Sequence, residues 1–272
     1  MSFYTDDIAN GYNWKGLERA IARLMGHLGW NDINVIGGAG DKGGDVIATK
    51  KDGVQIKSWV VQSKAVTGDR YIGPQAINEA INALSYYDVN IAAVATNGEF
   101  TKTARLRQEQ LEENGYTLKL WNGAFLKALI DQMPKDHAGY RNLRPYQDRI
   151  VQKVIDAYNR GEKKAFYIVA TGLGKTVIAA TIARKLWDKG CHRILVLCHA
   201  TDLALQLEQG FWPQITKDVP TSVFFDGLPP RNTEGISFGL YQSLYGYLPG
   251  IDPEQYDVCL LYTSPSPRDS TS

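Results

Sequence analysis

The stretch Ala170-Thr171-Gly172-Leu173-Gly174-Lys175-Thr176 has the residue types and spacing of a phosphate cradle. Gly172 and Gly174 let the backbone turn its N–H groups inward around an anion, and a helix opening at Lys175 adds the partial positive charge of its N-terminus. Lys175 would reach the β- and γ-phosphates of a nucleotide, and the Thr176 hydroxyl would ligate Mg²⁺. Thr171 and Leu173 complete the loop. The apolar run Ala165–Val169 precedes it and reads as a short buried strand, while Val177–Ala183 follows and reads as a helix. Strand, glycine-rich turn and helix start are the setting such a loop needs.

A second set of polar residues lies upstream. Leu17, Ala20, Ile21, Leu24, Met25 and Leu28 recur at helical spacing, so they form one buried seam that Gly29 ends, and Glu18 stands beside that seam. A glycine-rich turn over residues 37–45 ends in Asp45 and leads into a strand at Val46–Thr49. After a turn at Lys50–Gly53, a second strand spans Ile56 to Lys64. Alternation along it puts Gln62 and Lys64 on one face and Ser63 on the other. A helix from Pro74 to Leu84 carries Ile77, Ala80, Ile81 and Leu84 at core spacing. Val89–Ala95 is a near-continuous apolar run, as in a strand covered on both faces. Thr101 then reads as the N-cap of a helix that Gly115 ends. Lys102, Arg105 and Arg107 on it read as a solvated face, with contact to DNA phosphates as the alternative.

An acid at a strand start, Gln-x-Lys on the next strand and a helical Glu upstream together resemble the catalytic core of the PD-(D/E)xK nuclease fold. Gly43-Gly44-Asp45 and Val61-Gln62-Ser63-Lys64 resemble the Mrr-type restriction endonucleases more closely. So do Ile72-Gly73-Pro74, residues 95–101 and Leu120-Trp121-Asn122-Gly123, so that the likeness runs over residues 14–132. The resemblance implies Mg²⁺-dependent cleavage of DNA by Glu18, Asp45, Gln62 and Lys64. Hydrolysis of a phosphodiester needs a hard cation to polarise the phosphoryl oxygen and activate a water. Mg²⁺ takes oxygen ligands, so Asp45 would be the main one, Glu18 a direct or water-mediated one, and the Ser63 carbonyl another. Lys64 would orient the nucleophile and offset the growing charge. Gln62 stands where many relatives carry an acid, and its neutral amide implies weaker metal binding.

Met133–Asn142 lacks apolar periodicity and contains Pro134 and Gly139, which marks a linker. Beyond it, Ala-Thr-Gly-x-Gly-Lys-Thr resembles the phosphate loop of superfamily 2 helicases of the DEAD/DEAH type, with Val169 where the general loop pattern has Gly. Leu143-Arg144-Pro145-Tyr146-Gln147 resembles the adenine-reading motif of that group. The resemblance gives Gln147 the adenine edge, with Tyr146 or Arg144 packing near the base. The strand Arg193–Cys198 and the following helix resemble motif Ia and put His199, Asp202 and Gln206 at the nucleic-acid backbone. Residues 236–244 resemble a Thr-Tyr-Gln-Ser-Leu segment, with Leu240 in place of Thr, and add Tyr241 and Gln242 to that surface. Alternating strands and helices imply a parallel sheet with ligands at the strands' C-terminal ends.

The whole chain therefore reads as α/β: a PD-(D/E)xK restriction-endonuclease-like domain over 1–133, a linker over 134–142, and a truncated RecA-like P-loop domain over 143–258. Residues 259–272 resemble translated sequencing adapter in place of the expected Asp-Glu-Ala-His strand, which implies a fragment lacking ATP hydrolysis. The parent reads as an ATP-dependent restriction enzyme with Mg²⁺ and ATP as cofactors and double-stranded DNA as substrate. A methyltransferase or specificity subunit would be its partner. The alternative is a helicase or remodeller whose N-terminal domain only grips DNA. At 272 residues the chain can bury two modest cores, and 44% hydrophobic with 22% charged residues fits a globular protein. A net charge of +1 gives no global field for nucleic acid, so contacts must be local. No apolar run approaches the roughly 20 residues of a membrane span. The acidic N-terminus is unlike a signal peptide, and three cysteines without metal spacing suggest a reducing compartment, the cytoplasm.

Overall fold

A computed structural model describes residues 2–36, 42–224, 234–247, 252 and 254–262. Residues 37–41 of the turn expected over 37–45 lie outside them, as do residues 263–272 of the tail. The chain divides into two units, Ser2–Gly139 and the residues from Tyr140 onward.

The first unit runs α1 (Asp6–Ala9), α2 (Trp14–His27), β1 (Asn31–Val35), β2 (Val46–Asp52), β3 (Gln55–Lys64), β4 (Tyr71–Ile72), α3 (Pro74–Tyr87), β5 (Ile91–Thr96), β6 (Glu99–Phe100), α4 (Lys102–Glu113), β7 (Thr117–Trp121) and α5 (Gly123–Gln132). Its main sheet has the order β1-β2-β3-β5-β7. The β1-β2-β3 part is antiparallel, and β5 and β7 continue it in parallel to β3. The apolar seam of α2 is buried as its spacing requires, with Leu17, Ile21, Leu24 and Met25 all at or near zero exposure. Asn13 caps it by accepting from the Gly16 N–H. Every residue of β5 is buried, as an interior strand covered on both faces must be. One face of the sheet carries Val60, Ala92, Val94 and Leu118 and packs on Ile77, Ala80 and Leu84 of α3 and on Ala104 and Leu111 of α4. In β3 that is also the face of Gln62 and Lys64.

The Asn97 side chain ties the exits of two strands together. Its Oδ1 accepts from Val66 N–H and its Nδ2 donates to the carbonyls of Val66 and Ala9. The backbone leaving β3 after Lys64 is thus held to the turn after β5 and to the end of α1.

The second unit runs α6 (Pro145–Asn159), α7 (Lys175–Trp187), β8 (Arg193–Cys198), α8 (Thr201–Phe211), β9 (Thr221–Phe224), β10 (Gly235–Leu240), α9 (Tyr241–Tyr247) and β11 (Val258–Leu261). The strands form a wholly parallel sheet in the order β11-β8-β10-β9. One expectation is corrected here. Residues 165–169 form no strand, and Phe166 and Ile168 are 90% and 88% exposed. A strand exists only where a neighbour takes up its backbone N–H and C=O groups. Among the described residues neither edge of the sheet pairs with this run, so its apolar character alone does not make it one. Its residues still alternate, with Tyr167 and Val169 turned inward, and burial pushes the Tyr167 phenol up to about 12.

Among the described residues no helix is long and apolar enough to cross a membrane.

Candidate active site and nucleotide loop

Asp45 sits one residue before β2, level with Gln62 across the β2–β3 pair, where Val46 faces Val61. Its carboxylate is buried, with Oδ2 accepting from Gln62 Nε2 at 2.9 Å and from the Ser63 N–H at 2.5 Å. Its backbone is held on both sides, by Asp45 N–H to the Val61 carbonyl and by Ile36 N–H to the Asp45 carbonyl. The charge therefore points toward the C-terminal end of β3 and cannot swing away. Gln62 is also buried, and its Oε1 has no hydrogen-bond partner. A buried acceptor beside a buried carboxylate is what a hard cation would satisfy. Among the described residues no group of three or more His, Cys, Asp or Glu forms a metal cluster. A cation here would rely on one or two carboxylates, amide and carbonyl oxygens and water, which suits Mg²⁺.

Lys64 shares the Gln62 face, but its ammonium meets Glu79 of α3 at 2.7 Å rather than Asp45. Glu79 was not legible as a site residue, because the α3 sequence reads as core packing. Its i, i+4 spacing from Gln75 is the one local signal that could have marked it. Glu18 is buried on α2, which packs on β1, β2 and β3.

In the second unit the loop turns as its glycines require. Gly172 and Gly174 both have φ +82, the left-handed region that glycine enters without a steric penalty. Lys175 and Thr176 open α7 immediately after Gly174, the N-cap residue. A Cβ on Gly172 would meet no atom within 4 Å, so that side of the cradle is open. A Cβ on Gly174 would lie 2.5 Å from Gln147 Nε2. Gly174→Ala combines that overlap with backbone strain of about 1–3 kcal/mol. It is expected to lower the denaturation midpoint of the second unit, read by tryptophan fluorescence; an unchanged midpoint would mean the loop adopts another conformation.

Gln147 closes on the chain itself. Its Oε1 accepts from the Arg144 N–H at 2.9 Å, and its Nε2 donates to the Leu173 carbonyl at 3.1 Å. The Tyr146 hydroxyl donates to that carbonyl too, at 2.8 Å. Arg144 and Gln147 are therefore brought to the loop that holds Thr171 and Leu173, with the Gln147 amide engaged at both ends. The Thr176 hydroxyl lies 3.3 Å from the Tyr262 hydroxyl. Tyr262 directly follows β11, and its N–H donates to the Leu197 carbonyl. The start of the stretch expected to be tail thus forms a strand beside β8, with its end at the loop.

His199 follows β8 and Tyr241 follows β10. Leu240 pairs with Cys198, so the two lie at neighbouring strand ends. Both are exposed, as are Asp202 and Gln206 of α8 and Gln242 of α9. They are gathered at the C-terminal edge of the parallel sheet, where ligands of such sheets bind.

Residues 9–130 match the family described as Restriction endonuclease, of the Mrr catalytic type. Residues 141–260 match the family described as Type III restriction enzyme, res subunit. The chain is 28% identical over 199 residues to the type I restriction enzyme EcoAI endonuclease subunit of Escherichia coli, covering 65% of this chain and 24% of that protein. The matched stretch thus spans about a quarter of that relative's length. Among solved structures it resembles the ATP-dependent type ISP restriction-modification enzyme LlaBIII bound to DNA (17% identity, 93% of this chain, 18% of that one, TM-score 0.38). It also resembles the DNA modification-dependent restriction endonuclease AspBHI (15% identity, 57% of this chain, 38% of that one, TM-score 0.38). The order of the two matched segments along the chain is the order expected from the motifs. The chain thus carries a restriction endonuclease domain of the Mrr catalytic type over residues 9–130, followed over residues 141–260 by a helicase-like domain matching type III restriction enzyme res subunits.

Proposed function

We propose that the chain is the Mg²⁺-dependent DNA-cutting unit of an ATP-dependent restriction enzyme, joined to the first lobe of its DNA-translocating motor. The observation that carries this reading is the buried Asp45 carboxylate, fixed by Gln62 and the Ser63 N–H beside an unpartnered Gln62 Oε1. Asp45 and the Gln62 oxygen are the first ligands, with Glu18 behind them, directly or through water. Mg²⁺ bound there would polarise the scissile phosphoryl group and lower the pKa of an attacking water. Lys64 contributes three N–H donors; one serves Glu79 and two are left for the phosphate oxygens and the water. With only one negative charge in the Asp45–Gln62 pair, metal affinity is modest and substrate phosphate supplies part of the coordination.

In the second unit, Thr171 to Lys175 and the α7 N-terminus receive the nucleotide phosphates, and Thr176 takes the Mg²⁺ that accompanies ATP. Reading adenine with Gln147 requires its amide to exchange a backbone partner for the base. His199, Asp202, Gln206, Tyr241 and Gln242 line the nucleic-acid path. Domain limits of 1–133 and 143–258, a 134–142 linker, a cytoplasmic setting and a methyltransferase or specificity partner belong to the same reading.

A second reading, a domain that grips DNA without cutting, is favoured by the neutral Gln62 at a position where a second acid would strengthen metal binding. Incubation of the full chain with supercoiled plasmid separates the two. Nicked and linear products with Mg²⁺ and none with EDTA are expected. DNA retention without product under both conditions would select the gripping domain.

A further inference from the structure

Glu79 has no role in any motif, yet its carboxylate is held at both ends. Its Oε2 meets Lys64 Nζ at 2.7 Å, and its Oε1 accepts from Gln75 Nε2, one turn earlier on α3, at 3.0 Å. Its backbone is fixed as well. Gly43 has φ +87, and a Cβ there would lie 2.4 Å from the Glu79 carbonyl oxygen, so the turn bearing Asp45 rests directly on this residue of α3. α3 also packs on β3 and β5. One residue therefore touches both the segment that presents the carboxylate and the side chain that presents the ammonium.

We propose that Glu79 is the positioning residue for Lys64, setting the ammonium at a fixed place relative to Asp45; this rests on the nuclease reading above. Lysine is a compact charge on a flexible four-carbon stem and loses considerable rotamer freedom when immobilised. Lys64 and Glu79 are each about one-third exposed, at 36% and 32%, so their pairing contributes little to stability. Its effect is on orientation. The ion pair occupies one of the three N–H donors and leaves two for a phosphate oxygen and a water. Gln75 keeps the carboxylate from rotating off. Glu79 touches neither metal nor substrate in this scheme, and acts through Lys64 alone.

The test is a double-mutant cycle on the full chain, with single-turnover cleavage of a duplex at saturating Mg²⁺. Glu79→Gln keeps shape and removes charge. It is expected to slow cleavage about tenfold, as loss of orientation does, with DNA affinity and thermal midpoint unchanged. Glu79→Ala should show the same loss. In a Lys64→Ala background, Glu79→Gln should have no further effect, because its route is already removed. Cleavage by Glu79→Gln at the wild-type rate, or a further loss in the double variant, would overturn the assignment while leaving the nuclease reading intact. A wild-type chain that does not cut with Mg²⁺ would overturn the nuclease reading and this assignment with it.

Discussion

Asp45→Asn is expected to bring Mg²⁺-dependent cleavage to background, a fall of about a thousandfold or more, while the first unit stays folded. The carboxylate is the one negative charge in the Asp45–Gln62–Ser63 group, and several kcal/mol of transition-state stabilisation from a bound cation corresponds to that factor. The fold survives because the new amide can be accommodated. Its oxygen, in the place of Oδ2, still accepts from both Gln62 Nε2 and the Ser63 N–H. Asp45→Ala is a poorer probe, since it strands two buried donors at about 1–3 kcal/mol each. Plasmid cleavage and thermal melting of the same preparation check both halves. Residual cutting above a few per cent would move the catalytic centre away from Asp45.

The second large effect is on stability in acid. His27 of α2 stacks on Phe3 at 5.8 Å between ring centroids and meets His137 edge-on at 4.9 Å. Gly26 is required there, since a Cβ would lie 2.3 Å from His137 Nε2. Burial, then the nearby Arg23 guanidinium and His137, push His27 down to about 3. Burial and the same Arg23 push His137 down to about 4. Both folded-state values lie below the ordinary 6.5, so below that pH the unfolded chain binds protons the folded chain refuses. Stability is full above pH 6.5 and falls as the pH drops toward 4 and below. The loss is on the order of 3 kcal/mol, after discounting half-buried His137 for solvent screening. Denaturant melts at pH 7 and pH 4.5 should show it, and His27→Phe, which keeps the stacked ring, should reduce it. Equal acid sensitivity in wild type and His27→Phe would exclude this cluster as the cause.

What could be read from the chain was local chemistry. Gly172 and Gly174 announce their left-handed turns, Pro145 and Thr101 open their helices, and alternation along β3 puts Gln62 and Lys64 on one face. What could not be read depends on residues far apart in sequence. β1, Asn31–Val35, is too polar to be recognised and becomes a strand because β2 offers it a ladder. Residues 165–169 are apolar enough for a strand and lack one, for want of a partner. The Lys64–Glu79 pair and the His27–His137 contact bring together residues that no periodicity relates. Gln147, read as an adenine contact, is found holding the Leu173 carbonyl; the type of residue is legible in the sequence, its present partner is not.

The most direct test of the central claim is Mn²⁺ binding by the full chain without nucleotide, followed by electron paramagnetic resonance. Mn²⁺ takes the same oxygen ligands as Mg²⁺. The wild-type chain is expected to immobilise an ion that Asp45→Asn does not, with Mg²⁺ competing for it. Identical isotherms for the two proteins would contradict a cation site at Asp45.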